Sequence, residues 1–157
     1  MIALSAEAKE LIAREICNSK INNKWVETGG AIFIDASKLQ VTDVSGPGPK
    51  AIRNANDIVL DPDYLTKVIK EHYGSGSVFQ GTWHSHIGPN SITTPSIEDL
   101  AYFKQLSRKF KMNLYCLIIA ANPSNFTKEE SYFPREWAIY IYDHALNSLS
   151  LVHQEQW

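Results

Sequence analysis

The sequence predicts a mixed α/β fold in one globular domain spanning residues 1–157. Three stretches, at about residues 5–17, 61–73 and 97–110, carry helical caps or 3.6-residue apolar spacing. Short apolar runs of β type lie between and after them. A chain of 157 residues that is 44% hydrophobic is long enough to bury a sizeable core.

Ser5 is a candidate N-cap, and Ala8, Leu11, Ile12, Glu15 and Ile16 trace a mostly apolar stripe as far as Cys17. Asn18 to Lys24 reads as a polar connection. Gly30 to Asp35 and Leu39 to Ser45 are β-type runs joined by the turn-like Asp35-Ala-Ser-Lys38, which predicts a hairpin. Ser45-Gly-Pro-Gly-Pro49 breaks regular structure, and the polar stretch to Asn56 extends it into a long surface loop. A loop of that length is either functional or mobile and solvated.

Asp57 to Leu60 is a short strand. Asp61-Pro62-Asp63 caps a helix running to about Tyr73, with Tyr64, Leu65, Val68 and Ile69 on its buried side. His72 falls in its last turn, where a cation suits the helix dipole better than a metal role. Gly74-Ser-Gly-Ser77 ends the helix, and a strand follows through Val78 to His86, with Trp83 directed into the core. Ile97 to Phe110 is the next helix, with Leu100, Phe103, Leu106 and Phe110 inward. Arg108, Lys109 and Lys111 near its end complement the dipole or meet an acidic partner. Asn113 to Ala121 is a near-continuous apolar run and reads as a central strand. Asn122-Pro-Ser-Asn125 punctuates it. Trp137 to Asp143 and Leu149 to His153 form a terminal hairpin, and His144 and His153 receive no metal role.

The net charge of −2 and pI near 6.2 exclude the strong basic excess of a typical nucleic-acid binder. No run approaches the roughly 18 apolar residues of a membrane span. Met1-Ile-Ala-Leu lacks the basic region of a signal peptide. Cys17 and Cys116 are too few for a disulfide framework and are expected to be buried thiols, which suits the cytoplasm.

The chemistry centres on Gly81-Thr-Trp-His84-Ser-His86 and Ser96-Ile-Glu-Asp99. Alternate residues of a strand share a face, so His84 and His86 project together while Ser85 points away. Two adjacent imidazoles can chelate one metal ion, whereas in an ordinary core each would need hydrogen-bond partners. Ser96-x-x-Asp99 is also the pattern of a capping box, and Thr94-Pro95 offers a competing helix start. Two imidazoles and one carboxylate from Asp99 would leave a fourth position open, as in catalytic zinc sites. A zinc-bound water needs a base, and spacing alone does not choose among 17 acids. Glu27 is the favoured candidate, since it precedes Gly29-Gly30, which permit close backbone approach, and the apolar run Ala31 to Ile34. The alternative is a solvated glutamate in a helix-to-strand loop.

Glu27, His84-Ser-His86 and Ser96-x-x-Asp99 together resemble the JAMM motif of the MPN-domain metallopeptidases. Glu27-Thr-Gly-Gly30, Ser45-Gly-Pro-Gly-Pro49 and Gly81-Thr-Trp-His84 are similar to the bacterial branch, and to the stand-alone peptidases of CBASS-type antiphage operons. The resemblance covers roughly residues 20–125. It implies a mixed β-sheet flanked by helices, the MPN (cytidine deaminase-like) architecture. It also implies one zinc ion per chain held by His84, His86 and Asp99, Glu27 as general base and acid, and Ser96 as an oxyanion donor. The implied activity is hydrolysis of an isopeptide or peptide bond after the C-terminal tail of a ubiquitin-like modifier. The implied partners are that modifier or its conjugates, with a conjugating enzyme and a nucleotidyltransferase from the same operon, and neither nucleic acid nor membrane.

Two departures from the motif stand out. Ile87 replaces the usual proline after the second histidine, and the loop to Ser96 is two residues longer than the commonest spacing. Residues 87–94 would wall the groove for an extended tail, so both departures bear on substrate access. The alternatives are a catalytically silent MPN scaffold, which typically lacks ligands that this chain keeps, and a zinc hydrolase acting on sulfur-carrier proteins or a small molecule.

Overall fold

The computed structural model describes residues 1–123 and 134–157. Its elements in chain order are β1 (Ala3–Leu4), α1 (Ala6–Cys17), β2 (Lys20–Ile21), β3 (Lys24–Trp25), β4 (Gly29–Asp35), β5 (Gln40–Val44), β6 (Ile52–Arg53), β7 (Ile58–Val59), α2 (Pro62–Glu71), β8 (Val78–Ile87), α3 (Ile97–Phe110), β9 (Leu114–Ala121), β10 (Pro134–Asp143) and β11 (Ser148–Gln156). Seven strands form one sheet in the order β1-β5-β4-β8-β9-β10-β11. It is mixed: β1 runs parallel to β5 and β8 parallel to β9, while the other neighbours are antiparallel. The α/β class and the two expected hairpins, β4–β5 and β10–β11, are therefore present.

Helices cover both faces of the sheet, and side-chain alternation along each strand decides which residue meets which helix. Ala8, Ile12 and Ile16 of α1 pack against Ile32, Ile34, Trp83, Leu117 and Ile119. On the other face Leu65 and Val68 of α2, with Phe103 and Leu106 of α3, pack against Ala31, Phe33 and Cys116. Burying side chains of this size contributes about 1.5–3 kcal/mol each. A one-residue slip of β8 would exchange Trp83 with His84, so the apolar face fixes the direction of the histidines.

Several expectations are corrected. Asn18–Lys24 is not a plain connection but contains the two-residue ladder β2–β3. The stretch from Ser45 to Asn56 is not all loop, because Ile52 and Arg53 pair with Val59 and Ile58. Its first half is tied to the start of α2: Pro47 accepts from the Asp61 amide at 3.0 Å, and the Asp61 carboxylate accepts from the Lys50 amide at 3.1 Å. Leu100 is exposed rather than inward, since α3 turns Asp99, Phe103, Leu106 and Ser107 to the sheet. Cys17 is half-buried, and only Cys116 is fully enclosed. His72 does cap the end of α2, and it also bridges to Asp43 of β5 at 2.7 Å while stacking on Phe33. Of the expected break at Asn122-Pro-Ser-Asn125, Ser124 and Asn125 lie outside the described residues.

The paired glycines have the role expected of them. A Cβ on Gly30 would lie 1.9 Å from the Ser45 carbonyl oxygen, and one on Gly29 would lie 2.3 Å from that of Trp83. Gly30→Ala is expected to destabilise the fold by about 1–3 kcal/mol, the range of an overpacked site, because only backbone could move to relieve the clash. Urea denaturation with an unchanged m-value would show it.

Candidate metal centre

The site is assembled from three elements. β8 delivers His84 and His86 on the face opposite Trp83. α3 delivers Asp99 from its first turn, where Ser96 is the N-cap and Thr94 is not. The capping box is fully formed: the Asp99 amide donates to Ser96 Oγ at 3.0 Å, and the Ser96 amide donates to Asp99 Oδ2 at 2.8 Å. The capping pattern and the ligand pattern are thus one structure, because the carboxylate that caps α3 also faces both imidazoles.

His84 Nε2 lies 3.1 Å from His86 Nε2 and 3.2 Å from Asp99 Oδ1, and His86 Nε2 lies 3.0 Å from Asp99 Oδ2. Zinc bonds of about 2.0–2.1 Å at tetrahedral angles place donor atoms about 3.3 Å apart, so these separations fit one small cation. Tautomer chemistry points the same way. His86 Nδ1 donates to the Ile92 carbonyl at 2.7 Å, which leaves the neutral ring with its Nε2 lone pair aimed at a carboxylate. Lone pairs converging at 3 Å repel unless a proton or a cation lies between them. His84 and Asp99 are buried and His86 is partly so, which keeps water from relieving that repulsion. Among the described residues, these three form the His/Asp group able to hold a metal ion.

Burial would raise the Asp99 carboxyl, but hydrogen bonds to His84 and His86 outweigh it and hold the group far below the usual carboxylate range. Burial would lower the His86 imidazole, and Asp99 and the Ile92 carbonyl instead hold it above its ordinary value.

Glu27 sits just ahead of β4, whose first residue, Gly29, pairs with His84. Its backbone is fixed on both sides: its amide donates to the Asn54 carbonyl at 2.8 Å, and Arg53 Nε donates to its carbonyl at 3.0 Å. Thr28 is locked against Ser85, the residue between the histidines, by a 3.0 Å bond from its amide to Ser85 Oγ. Glu27 is only 4% exposed and its Oε2 has no hydrogen-bond partner. Burial pushes its carboxyl up to about 8, with His86 opposing and Asp99 and Asp57 adding to the rise. A buried carboxyl with an unpartnered oxygen and a pKa moved toward neutrality is a feature common at sites of proton transfer. The solvated alternative does not describe Glu27.

Glu27, His86 and Ser96 line one open cleft of about 370 Å³, walled by Ala55 and Asn56 on one side and by Ile87, Asn90 and Ile92 on the other. A more apolar hollow between Ile69, Phe79 and Met112 contains none of these groups. Five expected positions therefore come together: Glu27, His84, His86, Ser96 and Asp99. His72, His144 and His153 lie outside the cluster. Sequence reasoning missed the parts that hold the site in place. Arg53 and Asn54 brace Glu27, and the Ile92 carbonyl orients His86, with no sequence signal for either.

No protein-family model matches the chain, and no curated protein matches it. Among solved structures it is similar to the solution structure of protein DSY2949 from Desulfitobacterium hafniense. The TM-score is 0.65 at 21% identity, over 98% of this chain and 90% of that one. At that identity the likeness concerns the fold alone.

The raised Glu27 carboxyl has a definite sign in stability. Below about pH 4.5 it is neutral in both folded and unfolded chains. Between its ordinary value and about 8 only the unfolded chain ionises, so stability of the metal-free protein falls as pH rises across that window. Glu27→Gln should remove this loss, making the metal-free variant more stable than the parent by on the order of 3 kcal/mol at neutral pH. Urea denaturation across the window would show the gap shrinking toward acid pH.

Proposed function

We propose that this chain is a zinc-dependent peptidase of the JAMM type, with MPN architecture, that cleaves after the C-terminal tail of a ubiquitin-like modifier. The observation that carries this reading is a buried His84-His86-Asp99 group of converging ligand atoms that reaches, through His86, a cleft also lined by Glu27, whose buried Oε2 has no hydrogen-bond partner. The same donor set of two imidazoles and one carboxylate also suits non-haem iron. Glu27 favours the hydrolytic metal, because a hydrolase needs a proton acceptor beside its water. The resemblance of Glu27, His84-Ser-His86 and Ser96-x-x-Asp99 to the JAMM motif supports the same choice.

His84, His86 and Asp99 would hold the zinc ion. When bound, it supplies Lewis acidity toward the scissile carbonyl and toward the attacking water, whose pKa falls to about 7 in such sites. Glu27 would take the water's proton and hand it to the leaving amine, a role suited to a carboxyl that burial raises above its ordinary value. Ser96 Oγ accepts from the Asp99 amide, and its own proton remains to donate to the developing oxyanion. An extended tail would lie along the cleft between residues 54–56 and residues 87–94.

Among the described residues no helix is long and apolar enough to cross a membrane. A cytoplasmic place in an antiphage conjugation system, beside a conjugating enzyme and a nucleotidyltransferase, belongs to this proposal through the resemblance.

The first experiment is elemental analysis of the purified protein. About one zinc per chain is expected, and Asp99→Ala should lose it. No zinc after reconstitution would sink the peptidase reading in favour of a silent scaffold. Glu27→Ala should keep the metal and lower cleavage of ubiquitin-like fusion substrates by roughly 100-fold or more, the usual effect of removing a general base. A zinc-loaded parent that cleaves no such fusion would leave the small-molecule or sulfur-carrier hydrolase.

A further inference from the structure

The loop from Gly88 to Pro95 walls the cleft and also bonds a histidine of the cluster through the Ile92 carbonyl, which accepts from His86 Nδ1 at 2.7 Å. The Ile92 side chain does nothing to fix that carbonyl, being 57% exposed. Its two neighbours are held instead. On one side, the Ser91 amide donates to the Gly88 carbonyl at 3.2 Å and its hydroxyl donates to the Ala121 carbonyl at 3.0 Å. The Ser91 carbonyl in turn accepts from Arg135 at 2.7 Å. On the other side, Thr93 is 2% exposed although it sits in a loop. Its carbonyl accepts from the Tyr140 hydroxyl at 3.0 Å, and its own hydroxyl donates to Glu136 and accepts from Gln154, both at 3.3 Å.

We propose that Thr93 and Tyr140 are positioning residues for the metal centre, acting through the Ile92 carbonyl to fix the tautomer and ring direction of His86. This rests on the metal assignment made above. A peptide unit clamped on both sides cannot rotate its carbonyl away from the ring. With Nδ1 protonated, the Nε2 lone pair is kept for the cation, and the hydrogen bond makes that nitrogen a stronger donor. The clamp comes from β10 and β11, so the terminal hairpin sets the direction of a ligand carried by β8. It also gives the loop a role beside that of a substrate wall, since its fold is tied to the ligand.

Thr93→Val keeps the side-chain shape and removes the hydroxyl, and Tyr140→Phe removes the donor to the Thr93 carbonyl. The double variant is expected to bind zinc roughly 10- to 100-fold more weakly than the parent, as for other groups that orient a metal-bound histidine. Competition against a chromophoric chelator would measure this. Thr93→Ser in place of Thr93→Val should recover most of the affinity. In the zinc-loaded parent, the His86 Nδ1–H should give a slowly exchanging signal in ¹⁵N-edited NMR, and the variant should lose it to solvent exchange. A zinc affinity and an Nδ1–H signal unchanged from the parent would overturn the proposal while leaving the metal centre intact. A parent that takes up no zinc would remove the metal assignment and this proposal with it. Tyr140→Phe alone carries both measurements if the double variant does not fold.

Discussion

The geometry depends on one carboxylate. The Asp99 carboxylate accepts from the Ser96 amide at the start of α3, and the same group faces two imidazole nitrogens from β8. The first role is local and sets where α3 begins. The second is long-range and sets how α3 sits against the sheet, with Asp99 and Phe103 on one face of the helix. Phe103 lies 5.9 Å from the His84 ring, so the helix that brings the carboxylate also packs an apolar ring against one ligand. A helix fixed by its cap cannot rotate to suit the histidines, and a strand fixed by Trp83 on its far side cannot twist away. Both constraints meet at the Nε2 atoms.

This explains which parts of the fold and site were legible in the sequence. The alternation Trp83-His84-Ser85-His86 carries both the core side and the ligand side of β8, so strand and site were readable together. Ser96 and Asp99 could be read as a cap or as parts of a site, and the structure forms the cap while turning the Asp99 carboxylate to both imidazoles. The same double use misled the pattern on α3: the 3.6-residue period places Leu100 inward, but the buried face swings toward a carboxylate that hydropathy counts as polar. The ladder β6–β7 was hidden by the glycines and prolines ahead of it and by strands only two residues long. Thr93, Arg53 and Asn54 act through backbone contacts made across long sequence separations, and nothing in their neighbours announces this.

Electrostatics then links folding to chemistry. In the metal-free site, Glu27 is desolvated without a partner, and two imidazoles and Asp99 crowd their donor atoms within about 3 Å. The Glu27 carboxyl is penalised by its burial, whereas the imidazoles and Asp99 hold their close approach by sharing protons. A divalent cation held by His84, His86 and Asp99 would take the place of those protons and lower the charge penalty on the nearby Glu27.

The two sides of the cleft are therefore built on different footings. Glu27 is braced by the β6–β7 ribbon, through Asn54 and Arg53, which itself leans on α3 where the Leu60 amide donates to the Tyr102 hydroxyl at 3.3 Å. His86 is braced by the opposite end of the sheet, through residues 91–93 and the β10–β11 hairpin. Glu27 and His86 thus lean on different parts of the fold, although α3 and β8 are shared between them. That separation follows from the topology, since β4 and β9 lie on opposite sides of β8 in the sheet.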